Sequence, residues 1–164
     1  MTLHKFPHNF LWREHGYRET LEAHGIPFDP ELVASGGFDE VEASSAVENL
    51  LLDGVEFDAI FAGDDDAAAG VMATLKQAGR LVPDDVAVVG FDDVPFSRFL
   101  SPALTTVRAP IEEVGREAVR QLKCLMDGRQ AQSLVLMRTE LVIRESCGCK
   151  SLISGEDTLT STTR

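Results

Sequence analysis

Short apolar runs and helical stripes alternate along this chain, and the alternation is clearest between residues 57 and 108. Residues 57–62 and 86–91 are rich in branched and aromatic side chains, which is typical of strands buried on both faces. Gly79 and Pro83 end a helix that lies between these strands. The helix is indicated by apolar residues at helical spacing: Val71, Met72, Leu75 and Ala78. A helix that connects two strands predicts a βαβ unit with parallel strands.

Each of these two predicted strands is followed at once by carboxylates. Asp64, Asp65 and Asp66 come after the first strand. Asp92 and Asp93 come after the second. Ligands of open parallel sheets bind at the carboxyl ends of the strands. We therefore expect the two acidic turns to face one crevice.

The first acidic turn, residues 64–66, has more carboxylates than the start of a helix requires, since one capping side chain satisfies the free backbone N–H groups. An ionised carboxylate accepts two hydrogen bonds in a fixed geometry, which suits the paired hydroxyls of a sugar. A divalent cation is the alternative ligand, but the chain has neither a phosphate-binding loop nor further carboxylates at set spacing. We favour hydroxyl binding. Asp92 and Asp93 could equally form a simple turn after a buried strand.

The rest of the chain continues the alternation. Helices are predicted over residues 10–24, 43–52 and 110–128, and strands over residues 32–34, 104–107, 134–137 and 140–143. This order predicts an α/β fold with a doubly wound parallel sheet. Residues 1–9 show no period and are interpreted as an irregular lead-in. Residues 147–164 become rich in Ser and Thr and are interpreted as a flexible tail.

Composition narrows the possible functions. The 27 acidic and 15 basic residues give a net charge of -12, so this polypeptide alone should bind neither DNA nor an anionic membrane. Three cysteines form no disulfide framework, and the amino terminus lacks the apolar core of a signal peptide, which together favour a cytoplasmic location. The four histidines show no metal-binding spacing, and no cofactor is expected. Catalytic motifs such as GxSxG, GxxxxGK[ST] and GxGxxG do not occur, which favours binding over catalysis.

Two further side chains are candidates for ligand binding. Arg13 lies early in the first predicted helix, where an arginine is more often solvated than bound to a ligand. Phe38 follows a Gly-Gly turn and could stack on a sugar ring, although a phenylalanine after a short strand is usually part of the core. Both become informative only if their elements reach the crevice.

Four segments together closely resemble the effector-binding domain of LacI/GalR-type transcription regulators, which is similar to type I periplasmic sugar-binding proteins. They are RxxGY at residues 13–17, GDDDAAAGVMATLKQAGRLVPDDVAVVGFDD at 63–93, SPALTTVRAP at 101–110 and LVIRES at 141–146. The resemblance implies that Arg13, Phe38, Asp64 or Asp65, and Asp92 lie at effector-contacting positions. In many relatives the position of Asp64 is Asn, and that of Ala109 is polar, so the effector is not identified by the resemblance.

The resemblance covers residues 10–146 and implies an incomplete domain. These residues correspond mostly to the second lobe, and residues 104–128 would cross over to the first lobe. Family members begin with a DNA-binding helix-turn-helix, so any DNA contact would come from a separate head domain that this chain lacks. The apolar stripe of the last helix should then be left without a partner and drive self-association, with a homodimer expected. Its residues are Ile111, Val114, Leu122 and Leu125.

The leading interpretation is thus a non-enzymatic sensor of a sugar or related polyol from a LacI-type regulator. Two alternatives remain. The ending RESCGC also resembles sensor domains that control a downstream diguanylate cyclase or kinase module. The carboxylates at residues 64–66 together with Asp92 could instead serve a small Mg²⁺-dependent phosphoryl-transfer enzyme.

Overall fold

The computed structural model describes residues 2–3, 7–36 and 39–149. In chain order the elements are β1 (Thr2–Leu3), α1 (Pro7–Ala23), β2 (Val33–Ala34), α2 (Glu40–Leu52), β3 (Ala59–Phe61), α3 (Asp65–Gln77), β4 (Ala87–Asp92), β5 (Thr105–Arg108), α4 (Ile111–Met126) and β6 (Glu140–Val142). Short 3-10 turns occupy Pro30–Leu32 and Pro95–Phe99. None of the helices within these ranges combines the length and apolar character needed to cross a bilayer.

The strands form one sheet in the order β2-β1-β3-β4-β5-β6. The first five strands are parallel, which confirms the predicted α/β fold with a parallel sheet. Strand β6 is the exception within this parallel-dominated sheet, because it runs antiparallel to β5. Arg108 at the end of β5 pairs with Glu140 at the start of β6. The segment between them therefore leaves and re-enters the sheet at the same end, which makes an antiparallel return unavoidable.

The core lies where α2 packs against α3 and α3 packs against β4. Val47, Ile60, Leu75 and Val88 have at most 1% of their surface exposed there. Gly70 allows the close approach of the two helices, since a Cβ at this position would collide with the carbonyl of the first residue of α2. The core thus covers one face of strands β3 and β4 and fixes their relative position.

The amino-terminal expectation is corrected by the structure. Thr2–Leu3 form a strand between β2 and β3, and α1 begins at Pro7, so residues 1–9 are not simply an irregular lead-in. Two residues are too few to show an alternating pattern, and the neighbouring parallel strands supply the hydrogen-bond partners instead. The tail predicted at residues 147–164 lies outside the described residues from residue 150 onward. The predicted limits of the effector-binding domain, residues 10–146, and of the tail, residues 147–164, stay predictions.

The sequence predicts a strand at residues 134–137, but the structure assigns these residues no secondary structure. Leu134 and Leu136 are 72% and 84% exposed. Their composition suits a strand, but no described strand lies beside them to complete a ladder. The prediction fails because β propensity alone does not supply a pairing partner.

Helix α4 turns its apolar side to solvent. None of its residues is buried, and Ile111, Val114, Leu122 and Leu125 are 46–62% exposed. The half-buried positions of the helix carry Glu117, Gln121 and Cys124 instead. The backbone N–H of Gln132 donates to the Gln121 side chain at 2.8 Å, so the chain that follows α4 runs along its polar side. Within the described residues, the apolar stripe lacks a partner, as the sequence predicts.

We expect this stripe to drive self-association. Burying one leucine contributes roughly 2 kcal/mol, so Leu122→Glu should weaken association by at least about tenfold. Sedimentation velocity over a concentration series measures this change. The matched control is Leu52→Glu, because Leu52 is 84% exposed on α2 and lies outside the stripe. A parent chain that sediments as a clean monomer and melts cooperatively at every concentration contradicts the expectation.

Candidate functional site

The two acidic turns meet at one edge of the sheet, as predicted. Strands β3 and β4 are parallel neighbours, with Ala59 opposite Ala87 and Phe61 opposite Val89. Asp64 follows β3 and Asp92 is the last residue of β4, so both lie at the carboxyl end of their strands. The negative charge of Asp92 disfavours ionisation of Asp64 and helps to raise its pKa, so the two turns interact electrostatically. This edge is the candidate site.

Asp64 is the capping residue of α3. Its backbone is extended, and its side chain accepts a hydrogen bond from the backbone N–H of Ala67 at 2.8 Å. Burial raises the pKa of this carboxyl from 3.8 to about 6. The Ala67 hydrogen bond and Arg13 oppose the rise, whereas Asp66 and Asp92 add to it. Asp64 is thus a half-buried acceptor whose ionised form lacks full solvation.

Arg13 reaches this edge from α1. Its guanidinium lies over the ring of Phe91, with 4.1 Å between the central carbon and the ring centroid. Burial lowers the pKa of Arg13, and the negative charges of Asp92 and Asp64 oppose that shift. Burial likewise raises the pKa of Asp92, against the effect of Arg13. The site therefore combines one half-buried cation with two half-buried carboxylates, a set that both donates and accepts hydrogen bonds.

Asp65 has a different environment from its neighbours. Its side chain is completely buried. One carboxylate oxygen accepts hydrogen bonds from Ser97 Oγ at 2.5 Å and the Val94 backbone N–H at 2.9 Å, and the other accepts from Thr106 Oγ1 at 2.5 Å. A ligand could reach this carboxylate only by displacing these donors. The structure thus corrects the expected effector contact of Asp65 and places this residue behind the site, a position that three identical residues in a row do not reveal.

Other expected positions have different outcomes. Phe38 lies outside the described residues, so its stacking role stays a prediction. Ala109 and Asp92 line an open cleft of about 1040 Å³ between the end of β4 and the start of α4. No group of three or more His, Cys, Asp or Glu side chains within residues 13–36 and 39–149 is arranged to hold a metal ion. Asp93, which follows Asp92, also lines this cleft, but its carboxylate is paired with Arg108 and Arg144.

An α/β sheet with a polar crevice at the carboxyl ends of its strands is typical of doubly wound domains that bind small ligands. The sequence profile of the family described as "Periplasmic binding protein-like domain" matches residues 4–147, and the chain belongs to this family. Within it, the chain corresponds to the C-terminal part of the effector-binding region of LacI/GalR-type transcription regulators.

Individual relatives agree with this assignment. The chain is 34% identical over 131 residues to the transcriptional regulator AscG of Escherichia coli K12, and 37% identical over 135 residues to CelR of Thermobifida fusca. These matches cover 80% and 82% of this chain but only 39% and 40% of the relatives, so the chain spans about two fifths of their length. None of these names indicates a signalling enzyme, and the alternative of a signalling module is not supported.

Solved structures give the same result. A LacI-family regulator from Sanguibacter keddieii superposes with a TM-score of 0.84 at 36% identity, covering 90% of this chain and 57% of that one. A CelR–cellobiose complex superposes with a TM-score of 0.81 at 33% identity, covering 88% and 46% respectively. The predicted family and fold are therefore both confirmed.

The raised pKa of Asp64 predicts a pH-dependent stability. The folded protein binds this proton more tightly than the unfolded chain, so the free energy of unfolding falls as pH rises from 3.8 to about 6. Asp64→Asn keeps the helix cap and removes the charge. After allowance for solvent screening, the variant should be more stable than the parent by about 1 kcal/mol at pH 7 and equal to it below pH 4. Urea unfolding at several pH values measures the difference.

The control for this experiment is Asp39→Asn. Asp39 is an exposed aspartate that caps α2 through hydrogen bonds from Val41 and Glu42, so it matches Asp64 in local role but not in burial. Because Asp39 is exposed, no burial of its charge is relieved, and Asp39→Asn should not stabilise the protein at pH 7. If the stability gained by Asp64→Asn does not grow between pH 4 and pH 6, the raised pKa of Asp64 is contradicted.

Proposed function

We propose that this chain binds a neutral polyhydroxy effector, a sugar or related polyol, at the edge formed by Arg13, Asp64 and Asp92. The observation that carries the proposal is the presence, at one edge of the sheet, of two half-buried carboxylates that both interact electrostatically with one half-buried guanidinium, which itself lies over Phe91. A hydroxyl donates to a carboxylate and accepts from a guanidinium, so a polyol satisfies all three groups at once. Such charge-assisted hydrogen bonds contribute about 1.5–3 kcal/mol each.

Charge argues against anionic ligands at this edge. Asp64, Asp65, Asp66 and Asp92 place several carboxylates close together, and the whole chain carries a net charge of -12. An anionic ligand would be repelled, whereas a neutral hydroxyl-rich ligand is not. The CelR–cellobiose structure supports the same class, because that similar protein holds a neutral sugar.

We further propose that the parent regulator is a non-enzymatic, cytoplasmic homodimer. Its relatives are transcriptional regulators, which supports a regulatory role over catalysis. The acidic surface of this chain favours DNA contact through a separate domain of the whole protein. Effector binding would then change the arrangement of the DNA-binding domains by shifting the population of regulator conformations.

The test is calorimetric titration of the chain with neutral sugars, with cellobiose included, and with sugar phosphates for comparison. An open site buries only part of a ligand, so we expect a dissociation constant in the millimolar range, about -4 kcal/mol. Asp92→Asn should weaken binding of the best neutral sugar by about tenfold, since it removes a charge-assisted bond. Asparagine tolerates the positive φ of this position, so the fold should persist.

Asp66→Asn is the control because Asp66 is exposed in the first turn of α3 and lies beside the site. The affinity of the Asp66→Asn variant for the neutral sugar should stay within a factor of about two of the parent's affinity. Preferential binding of the sugar phosphates contradicts the proposal. Neutral-sugar binding that Asp92→Asn leaves unchanged also contradicts it. Micromolar binding that does not depend on Arg13, Asp64 or Asp92 contradicts it as well.

A further inference from the structure

The turn after β4 has an unusual backbone. Asp92 and Asp93 both have positive φ, 103° and 56°, although neither is glycine. Such conformations cost free energy for residues with a side chain and persist when surrounding contacts fix them. The contacts that fix this turn should therefore be identifiable, and they should control where the Asp92 carboxylate points.

The Asp93 side chain supplies these contacts. It is 3% exposed. One of its carboxylate oxygens accepts a hydrogen bond from Arg108 Nε at 2.7 Å, and the other accepts from Arg144 Nη2. Arg144 also donates to the carbonyl of Leu104 at 2.7 Å, and Arg108 donates to Glu140 at 3.0 Å. Burial alone would raise the pKa of Asp93, but the two arginines outweigh it and lower the pKa, so the carboxylate stays ionised.

The two arginines come from opposite ends of one segment. Arg108 is the last residue of β5, and Arg144 lies just after β6. Between them the chain forms α4, the exposed stretch that contains Leu134 and Leu136, and β6. No residue of α4 is buried, so its connections to β5 and β6 carry its attachment to the sheet within the described structure. Asp93 thus binds both ends of the segment that holds α4.

We propose that Asp93 is a positioning residue that couples the Asp92 carboxylate to the segment carrying α4. The proposal rests on the proposed function in taking Asp92 as a ligand contact. A displacement of α4 that separates Arg108 or Arg144 from Asp93 removes an ion pair through which Asp93 holds the turn, and the direction of the Asp92 carboxylate then changes. By thermodynamic reciprocity, a ligand that fixes Asp92 stabilises the same arrangement of the two arginines.

The first test needs no ligand. Asp93→Asn removes the charge while keeping the shape, and asparagine accepts positive φ at least as readily as aspartate, so backbone strain cannot explain its effect. Hydrogen exchange followed by mass spectrometry should show about fivefold faster exchange in two separate regions, residues 90–94 and 140–146, since a largely buried ion pair is lost. Exchange in α3 should stay at the parent rate.

Two comparisons give this experiment its specificity. Asp127→Asn removes a carboxylate that pairs with Arg129 at 2.7 Å on the exposed end of α4, and it should leave both regions unchanged. Arg108→Gln should reproduce the faster exchange, and Arg108→Lys, which keeps the charge, should restore most of the parent rate. Faster exchange in only one region, or an equal rise throughout α3, overturns the proposal.

The second test uses the neutral sugar that binds most tightly in the calorimetric titration. Asp93→Asn should weaken the binding of this sugar by about fivefold, even though both carboxylate oxygens of Asp93 already accept hydrogen bonds from arginines. Asp127→Asn should leave sugar binding unchanged. If exchange rises in both regions but no sugar binds to the parent chain, the proposed function is contradicted and the coupling is not. Sugar binding that Asp92→Asn weakens and Asp93→Asn does not alter overturns the coupling and leaves the proposed function intact.

Discussion

The buried carboxylate of Asp65 is the interaction on which the candidate site depends. It joins the start of α3 to the turn after β4 through the Val94 backbone N–H and Ser97, and to β5 through Thr106. Removing a carboxyl group from water costs free energy unless hydrogen bonds replace the lost solvation. The three donors provide that replacement when they surround Asp65 as observed. Their hydrogen bonds therefore hold the two acidic turns in their relative position from inside the protein.

The strand beside Asp65 is adapted to this arrangement. Gly90 in β4 has no side chain, and a Cβ there would collide with an Asp65 carboxylate oxygen. With Asp65 held inside, the preceding Asp64 caps α3 and stays half-buried at the edge of the sheet. Ser146 makes a second connection of this kind, because its hydroxyl donates to the Val88 carbonyl and accepts from the Thr105 N–H. Buried polar contacts therefore determine which side chains remain available to a ligand.

Much of this arrangement follows from local patterns in the sequence. The βαβ unit and the meeting of its two acidic turns are predictable because strand composition, helix spacing and the stop at Gly79 are local signals. Which of three consecutive aspartates is buried is not local, since it depends on hydroxyls that follow about 30 and 40 residues later. The antiparallel direction of β6 is likewise set by where α4 returns the chain. The unpaired residues 134–137 show that composition indicates a strand only when a neighbour is available.

The free energy of unfolding of Asp65→Ala tests the account most directly, with Asp66→Ala as the adjacent control on the same helix turn. Loss of a buried acceptor that serves three donors should destabilise the protein by about 3 kcal/mol, whereas the change at exposed Asp66 should stay within about 0.5 kcal/mol. Equal, small losses for the two variants in urea unfolding would contradict the view that Asp65 holds the acidic turns together.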